Sequence, residues 1–195
     1  MKDLVLLALG SALTGNLVLT YFLGICPFLG VSRRLDMAAA MGIAVTFVLA
    51  VSGTATYLLR TRVLLPLDID FLQYVAFILV IAGTVQVVEM YVRKRHPGLY
   101  AAFGMFLPMI STNCAILGGC LFIGLRGFGT LLEVLVYCLA SGLGYTLALV
   151  VMGGIREELA LADVPEPFRG APIAFVVAGN LALAFMGFAG LGTSR

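Results

Sequence analysis

Charge is missing from most of this chain, and it is missing in long uninterrupted stretches. Between charged or Pro/Gly-rich breaks, apolar runs fall at about 4–31, 37–59, 71–88, 99–125, 134–155 and 171–194. An α-helix needs roughly 20 apolar residues to cross the hydrocarbon core of a bilayer, and each run is about that long. Only 11% of the 195 residues are charged and 62% are hydrophobic, against roughly 25% charged in a soluble domain. A water-soluble surface cannot be covered with so few polar side chains, which excludes a soluble enzyme and a disordered tail. The chain also has no basic stripe to neutralise phosphates, which excludes a nucleic-acid binder. A signal peptide does not account for the pattern, because the runs recur along the whole sequence. The expected fold is an all-α membrane protein with six transmembrane helices, one integral domain over residues 1–195 embedded in lipid.

The loops between runs are short and leave no room for a soluble domain. Arg33, Arg34, Arg93, Lys94, Arg95, Arg156 and Arg169 fall in the first, third and fifth loops, while Lys2, Arg60, Arg62, Arg126 and Arg195 fall on the other side. Basic residues in short loops stay cytoplasmic, so the balance favours both termini on the outer side of the membrane.

A repetition narrows the architecture further. Cys26-Pro27-Phe28-Leu29-Gly30 in the first run recurs as Cys114-Ala115-Ile116-Leu117-Gly118 in the fourth, a C-x-x-L-G pattern offset by 88 residues. At nearly the same offset, Ser52-Gly53 with Tyr57 matches Ser141-Gly142 with Tyr145. A repeat unit with an odd number of spans inserts its second copy upside down. The expectation is therefore two inverted three-helix repeats, about 1–97 and 98–195, with a site near mid-membrane where broken helices meet. Cys26 and Cys114 are the pair that such an axis brings together.

Both cysteines lie beside helix-breaking chemistry. Pro27 is expected to push Cys26 out of helical geometry. Cys114 follows Pro108-Met109-Ile110-Ser111-Thr112-Asn113 and precedes Gly118-Gly119-Cys120. Irregular backbone at membrane depth survives only when buried in protein or lining a cavity, so the first and fourth helices are read as broken at a site. Two thiolates do not complete a [2Fe–2S] cluster, which takes four, so a second subunit would have to supply two more. Zinc could use the same ligands, but a closed structural zinc site gives little reason for a mid-membrane position. Cys120 and Cys138 have no matching break and read as packing residues.

Other polar residues in the runs are few. Asn16, Gln86, Glu89 and Asn180 are candidates by depth, although Glu89 stands four residues from Arg93 and reads as half of an interfacial ion pair. Asp68, Asp70 and Glu133 read as interfacial. The single histidine, His96, excludes a bis-His haem within this chain, and no nucleotide-binding or zinc-hydrolase motif occurs.

Gly24-Ile25-Cys26-Pro27-Phe28-Leu29-Gly30-Val31-Ser32, Thr112-Asn113-Cys114-Ala115-Ile116-Leu117-Gly118 and Gly154-Ile155-Arg156-Glu157-Glu158-Leu159 resemble the paired six-span subunits of the Rnf and sodium-pumping NADH:quinone oxidoreductase complexes. Ala162-Asp163-Val164-Pro165-Glu166-Pro167-Phe168-Arg169-Gly170 and Ala184-Phe185-Met186-Gly187-Phe188 extend the likeness over essentially the whole chain. Cys-Pro-Phe-Leu-Gly and Val-Pro-Glu-Pro-Phe-Arg-Gly look more like the Rnf branch. The resemblance implies a subunit of an ion-translocating ferredoxin:NAD oxidoreductase in a bacterial inner membrane, coupled to Na+ or H+ transport. It implies pairing with a homologous E-type subunit of opposite orientation, alongside subunits B, C, D and G. Each of the pair would give two cysteines to one [2Fe–2S] cluster, here Cys26 and Cys114. No independent catalytic site is expected. An inverted-repeat transporter and a scaffold that only holds partner subunits are the rival readings from architecture alone.

Overall fold

The computed structural model describes residues 2–67, 72–95, 110, 112–163 and 165–187. Within them the secondary structure is entirely helical, with no strand among the described residues. Helix α1, Lys2–Leu9, passes into a π-helical turn, Gly10–Thr14. A non-helical stretch follows over 15–24, and then a short helix, α2, Ile25–Val31. Helix α3, Leu35–Leu59, runs on through a π-helical segment, Arg60–Leu64, to Leu67. Then come α4 (Gln73–Arg95), α5 (Cys114–Arg126), α6 (Leu131–Leu161), a 3-10 turn at Glu166–Phe168, and α7 (Ala171–Met186).

Two uninterrupted apolar helices are long enough to cross a bilayer among the described residues, Leu35–Leu64 and Leu131–Leu161. The other runs carry shorter apolar helices, Leu4–Thr14, Gln73–Val88, Cys114–Arg126 and Ala171–Met186. Asp68, Asp70, His96, Pro108, Met109, Ser111, the run from 99 to 109 and the last residues of the sixth run lie outside the described residues. So do the side chains of Glu89 and Arg93.

The outward faces of the helices are apolar, unlike those of a soluble bundle. Ile43, Leu79, Leu143 and Leu183 point outward and are mostly exposed, whereas Asn16, Ser52, Thr56 and Ser141 are fully buried. Large aliphatic side chains are thus found outside as well as in the core, as a hydrocarbon solvent allows, and the few buried polar side chains lie inside.

The core is the crossing of α3 and α6. Lipid gives apolar side chains no reason to leave it, so helices associate through close packing at small residues. Here a glycine on each helix receives a threonine of the other. A Cβ on Gly142 would stand 2.7 Å from Thr46 Cγ2 and 2.8 Å from its Cα, and a Cβ on Gly42 would meet Thr146. Each threonine hydroxyl donates back to its own helix, Thr46 to the Gly42 carbonyl and Thr146 to the Gly142 carbonyl, both at 2.8 Å. The two hydroxyls lie 3.3 Å apart. Further out, Gly53 meets Cys138 and Gly153 meets Ala38. The contacts run antiparallel and are reciprocal, with matching positions 100 residues apart.

That register differs from the one expected. Ser52-Gly53 does not pair with Ser141-Gly142 as its equivalent, because the spacing widens between the cysteine helices and the long ones. Helix α2 has 7 residues and α5 has 13, so the offset of 88 at the cysteines grows before α3 and α6 begin.

The crossing predicts an asymmetry between glycines. Gly142→Ala must displace the Thr46 backbone and should cost about 1–3 kcal/mol, lowering the thermal unfolding midpoint in detergent by several degrees. Gly83→Ala, with nothing within 4 Å of the added carbon, should leave the midpoint unchanged or raise it, since alanine favours helix over glycine.

Candidate functional site

The interruption of the first run does not fall where proline was expected to place it. Cys26 and Pro27 are helical, the second and third residues of α2. Proline is tolerated in a first turn because its missing N–H would have no helical partner there anyway. The break lies upstream, across 15–24, where Phe22 (φ 55°) and Gly24 (φ 78°) take left-handed conformations. Cys114 likewise opens α5, directly after Asn113. Each cysteine therefore sits on the first turn of a helix, Cys26 after the non-helical stretch 15–24 and Cys114 after the non-helical Thr112 and Asn113.

Turns at this depth need partners for their backbone groups, and Asn16 provides several. Its Oδ1 accepts from Val18 N–H at 3.0 Å and Leu19 N–H at 3.4 Å. Its Nδ2 donates to the carbonyls of Ala12 at 3.3 Å and Gly144 at 2.8 Å. The last bond ties the turn to α6. Gly144 allows the approach, since a Cβ there would lie 2.5 Å from the Ala12 carbonyl oxygen. Leu17, Val18 and Leu19 complete the burial of the turn. Asn16, singled out by depth, holds this turn in place. Asn180 and Gln86 face outward.

At the far end of the turn Gly24 meets the start of α5. The Gly24 N–H donates to Cys114 Sγ at 3.0 Å. Tyr145 Oη, from α6, donates to the Gly24 carbonyl at 3.3 Å, and Asn113 Nδ2 reaches Tyr145 Oη at 3.5 Å. Asn113 Oδ1 caps α5 by accepting from Ala115 N–H at 3.0 Å. Gly24 has no space for a side chain, because a Cβ would lie 2.9 Å from both Asn113 Oδ1 and Tyr145 Cε2. Cys114 Sγ thus lies against Gly24, two residues before Cys26 in the chain.

Their surroundings separate them from the other two cysteines. Cys26 and Cys114 are exposed on the chain, and Cys120 and Cys138 are buried, the former beside Thr56 and the latter against Gly53. No group of three or more His, Cys, Asp or Glu side chains converges among the described residues. Tyr145 and Gly24 are the site residues that sequence reading did not assign a role.

Membership follows from comparison over the chain's length. Residues 4–192 match the Rnf-Nqr subunit family of membrane proteins. The chain belongs to the Rnf-Nqr family. It is 52% identical over 191 residues to a protein of Syntrophotalea carbinolica, covering 98% of each chain. Relatives from Azoarcus sp. and Cereibacter sphaeroides are each 50% identical over 191 residues, again covering 98% of both chains. All three are named as the A-type component of an ion-translocating oxidoreductase complex. The Rnf-Nqr match takes in both cysteine motifs and the Arg156-Glu157 segment, so the likeness read from short motifs holds along the chain.

The role of Asn16 predicts a specific loss. Asn16→Ala would leave the Gly144 carbonyl and the Val18 N–H buried without these partners, a cost of about 2–4 kcal/mol. Thermal unfolding in detergent should show it, while Asn180→Ala should change stability little.

Proposed function

We propose that this Rnf-Nqr chain is an electron-relaying membrane subunit of an ion-translocating ferredoxin:NAD oxidoreductase in a bacterial inner membrane. In this reading it has six spans arranged as two inverted three-helix repeats, 1–97 and 98–195, with both termini on the outer side. The reciprocal α3–α6 crossing supports that arrangement, because a pseudo-two-fold axis swaps each contact for its equivalent. Cys26 and Cys114 supply two thiolates to a [2Fe–2S] cluster, and a homologous E-type subunit of opposite orientation supplies two more. Subunits B, C, D and G complete the assembly, which couples electron flow to Na+ or H+ transport. No catalytic site is assigned to this chain by itself.

The observation that carries this reading is the hydrogen bond from Gly24, two residues before Cys26, to the Cys114 sulfur, with both thiols on the outer face of the chain. The donor set fits the group. Soft thiolates are the ligands that iron–sulfur clusters take, and ligands shared between two chains must face outward. When bound, the cluster supplies one-electron exchange within the bilayer.

The chain's own residues have three tasks. The Gly24 N–H places a positive dipole end against the Cys114 sulfur and offsets negative charge that hydrocarbon would penalise. Tyr145 and Asn113 fix Gly24 so that this donor does not turn away. The turn at 15–24, tied to α6 through Asn16 and Gly144, holds Gly24 beside Cys114.

The test is iron content and the reduced-state EPR spectrum of the membrane subcomplex, free of the soluble subunits' clusters. Cys26→Ser and Cys114→Ser should each abolish a [2Fe–2S] signal that Cys120→Ser retains. A well-folded wild-type subcomplex without iron would overturn the relay and favour an inverted-repeat transporter.

A further inference from the structure

Helix α2 carries Cys26 and has only 7 residues, Ile25–Val31. A helix that short is not stable by itself, so its ends must be held by the rest of the molecule. At its start, the Gly24 carbonyl accepts from Tyr145 Oη and from the Phe28 N–H, both at 3.3 Å. At its end, the last carbonyls of a helix lack partners further along it, and Arg156 serves one of them. Its Nη1 donates to the Leu29 carbonyl at 2.6 Å and to Oγ of Ser32, the fully buried C-cap of α2, at 3.0 Å. Arginine suits a helix C-terminus by its donors and its charge, and this one comes from α6, 127 residues from Leu29. Tyr145 and Arg156 stand on one face of α6, because three turns of helix, about 11 residues, separate them. Helix α6 thus holds α2 at both ends. Glu157 is engaged differently, accepting at 2.9 Å the N–H of Leu35, the first residue of α3.

We infer that Arg156 is a positioning residue for Cys26, acting through α2, an inference that rests on the cluster reading of Cys26 and Cys114. Leu29 lies one helical turn from Cys26 and on the same side of α2, so a bond that fixes the Leu29 carbonyl also fixes the turn that presents the thiol. Gly24 is the N-cap of the same helix and donates its N–H to Cys114 Sγ at 3.0 Å. Tilting or fraying of α2 therefore displaces the Cys26 sulfur and the donor to the Cys114 sulfur together. Hydrogen bonds to ligand sulfurs favour the more negative, reduced state of an iron–sulfur centre, so loosening α2 lowers its midpoint potential. The two neighbouring side chains of α6 divide the first loop between them. Arg156 holds the helix that bears the thiol, and Glu157 holds the start of α3, which bears none.

The test uses the membrane subcomplex free of the soluble subunits' clusters, with two readouts, an EPR-monitored redox titration and hydrogen exchange of the α2 backbone amides. Arg156→Met keeps an apolar stem and removes the donors. It should speed exchange over residues 25–31 and lower the reduced-to-oxidised ratio at a fixed potential by roughly 3- to 10-fold, about 28 to 59 mV for one electron. Arg156→Lys, whose ammonium has donors for both bonds but one bond less reach, should fall between Arg156→Met and the wild type. Glu157→Ala releases the start of α3 alone and should leave the midpoint and the spectrum unchanged. Ser32→Ala removes one bond of the pair and should shift the midpoint in the same direction by less, which decides the matter where Arg156→Met does not assemble. A wild-type signal that neither Arg156→Met nor Ser32→Ala shifts would overturn this inference and leave the cluster reading intact, as would an equal shift in Glu157→Ala. A well-folded wild-type subcomplex without iron would overturn both.

Discussion

A backbone amide or carbonyl without a partner in hydrocarbon costs several kcal/mol, and this constraint shapes everything around the cysteines. A continuous helix meets it automatically. Between Gly15 and Gly24 the chain abandons helix, so partners have to come from elsewhere. Asn16 meets much of that demand with one side chain, bonding to its own turn and to the Gly144 carbonyl of α6. Once the turn is fastened to α6, Gly24 falls beside Tyr145 and Asn113, and its N–H is left aimed at Cys114. The sulfur environment is thus the last link of a chain of obligations that begins several residues earlier.

The long helices give that arrangement a fixed frame. Their contact is made from glycine against threonine, with each hydroxyl satisfied by its own backbone. No charged pair and no large side chain takes part in these glycine–threonine contacts. A surface of this kind allows helix axes to approach closely, and van der Waals contact in lipid strengthens with that approach. It also brings Gly144 and Tyr145 to the turn from the same helix that carries Thr146, so the frame and the site share a single stretch of α6.

Sequence alone carried much of this and lost the rest for identifiable reasons. The apolar runs located the helices because charge exclusion is a property of composition. The C-x-x-L-G repeat marks two helix starts, since Cys26 lies in the first turn of α2 and Cys114 opens α5. Pro27 misled on where the break lies, since proline interrupts a helix interior but suits a first turn, and nothing local distinguishes the two settings. The match of Ser52-Gly53 to Ser141-Gly142 misled on register, because helices of unequal length shift an offset that short motifs assume constant. Arg156 and Glu157 were visible as part of a conspicuous segment. Their bonds to Leu29, Ser32 and Leu35 span more than a hundred residues, and such distant pairings leave no trace in local spacing.

Helix α6 has 31 residues, and at 1.5 Å per residue it is about 46 Å long. Its uncharged portion, between Glu133 and Arg156, covers about 33 Å, close to the thickness of a hydrocarbon core. Much of the surplus lies beyond Arg156, so the helix rises past the lipid boundary as a stiff post. Through Arg156 and Glu157 that post grips the end of α2 and the start of α3. The height of this end of the molecule above the bilayer is therefore set by a rigid rod instead of a loop, and a change in bilayer thickness that tilts the rod must carry the grip with it.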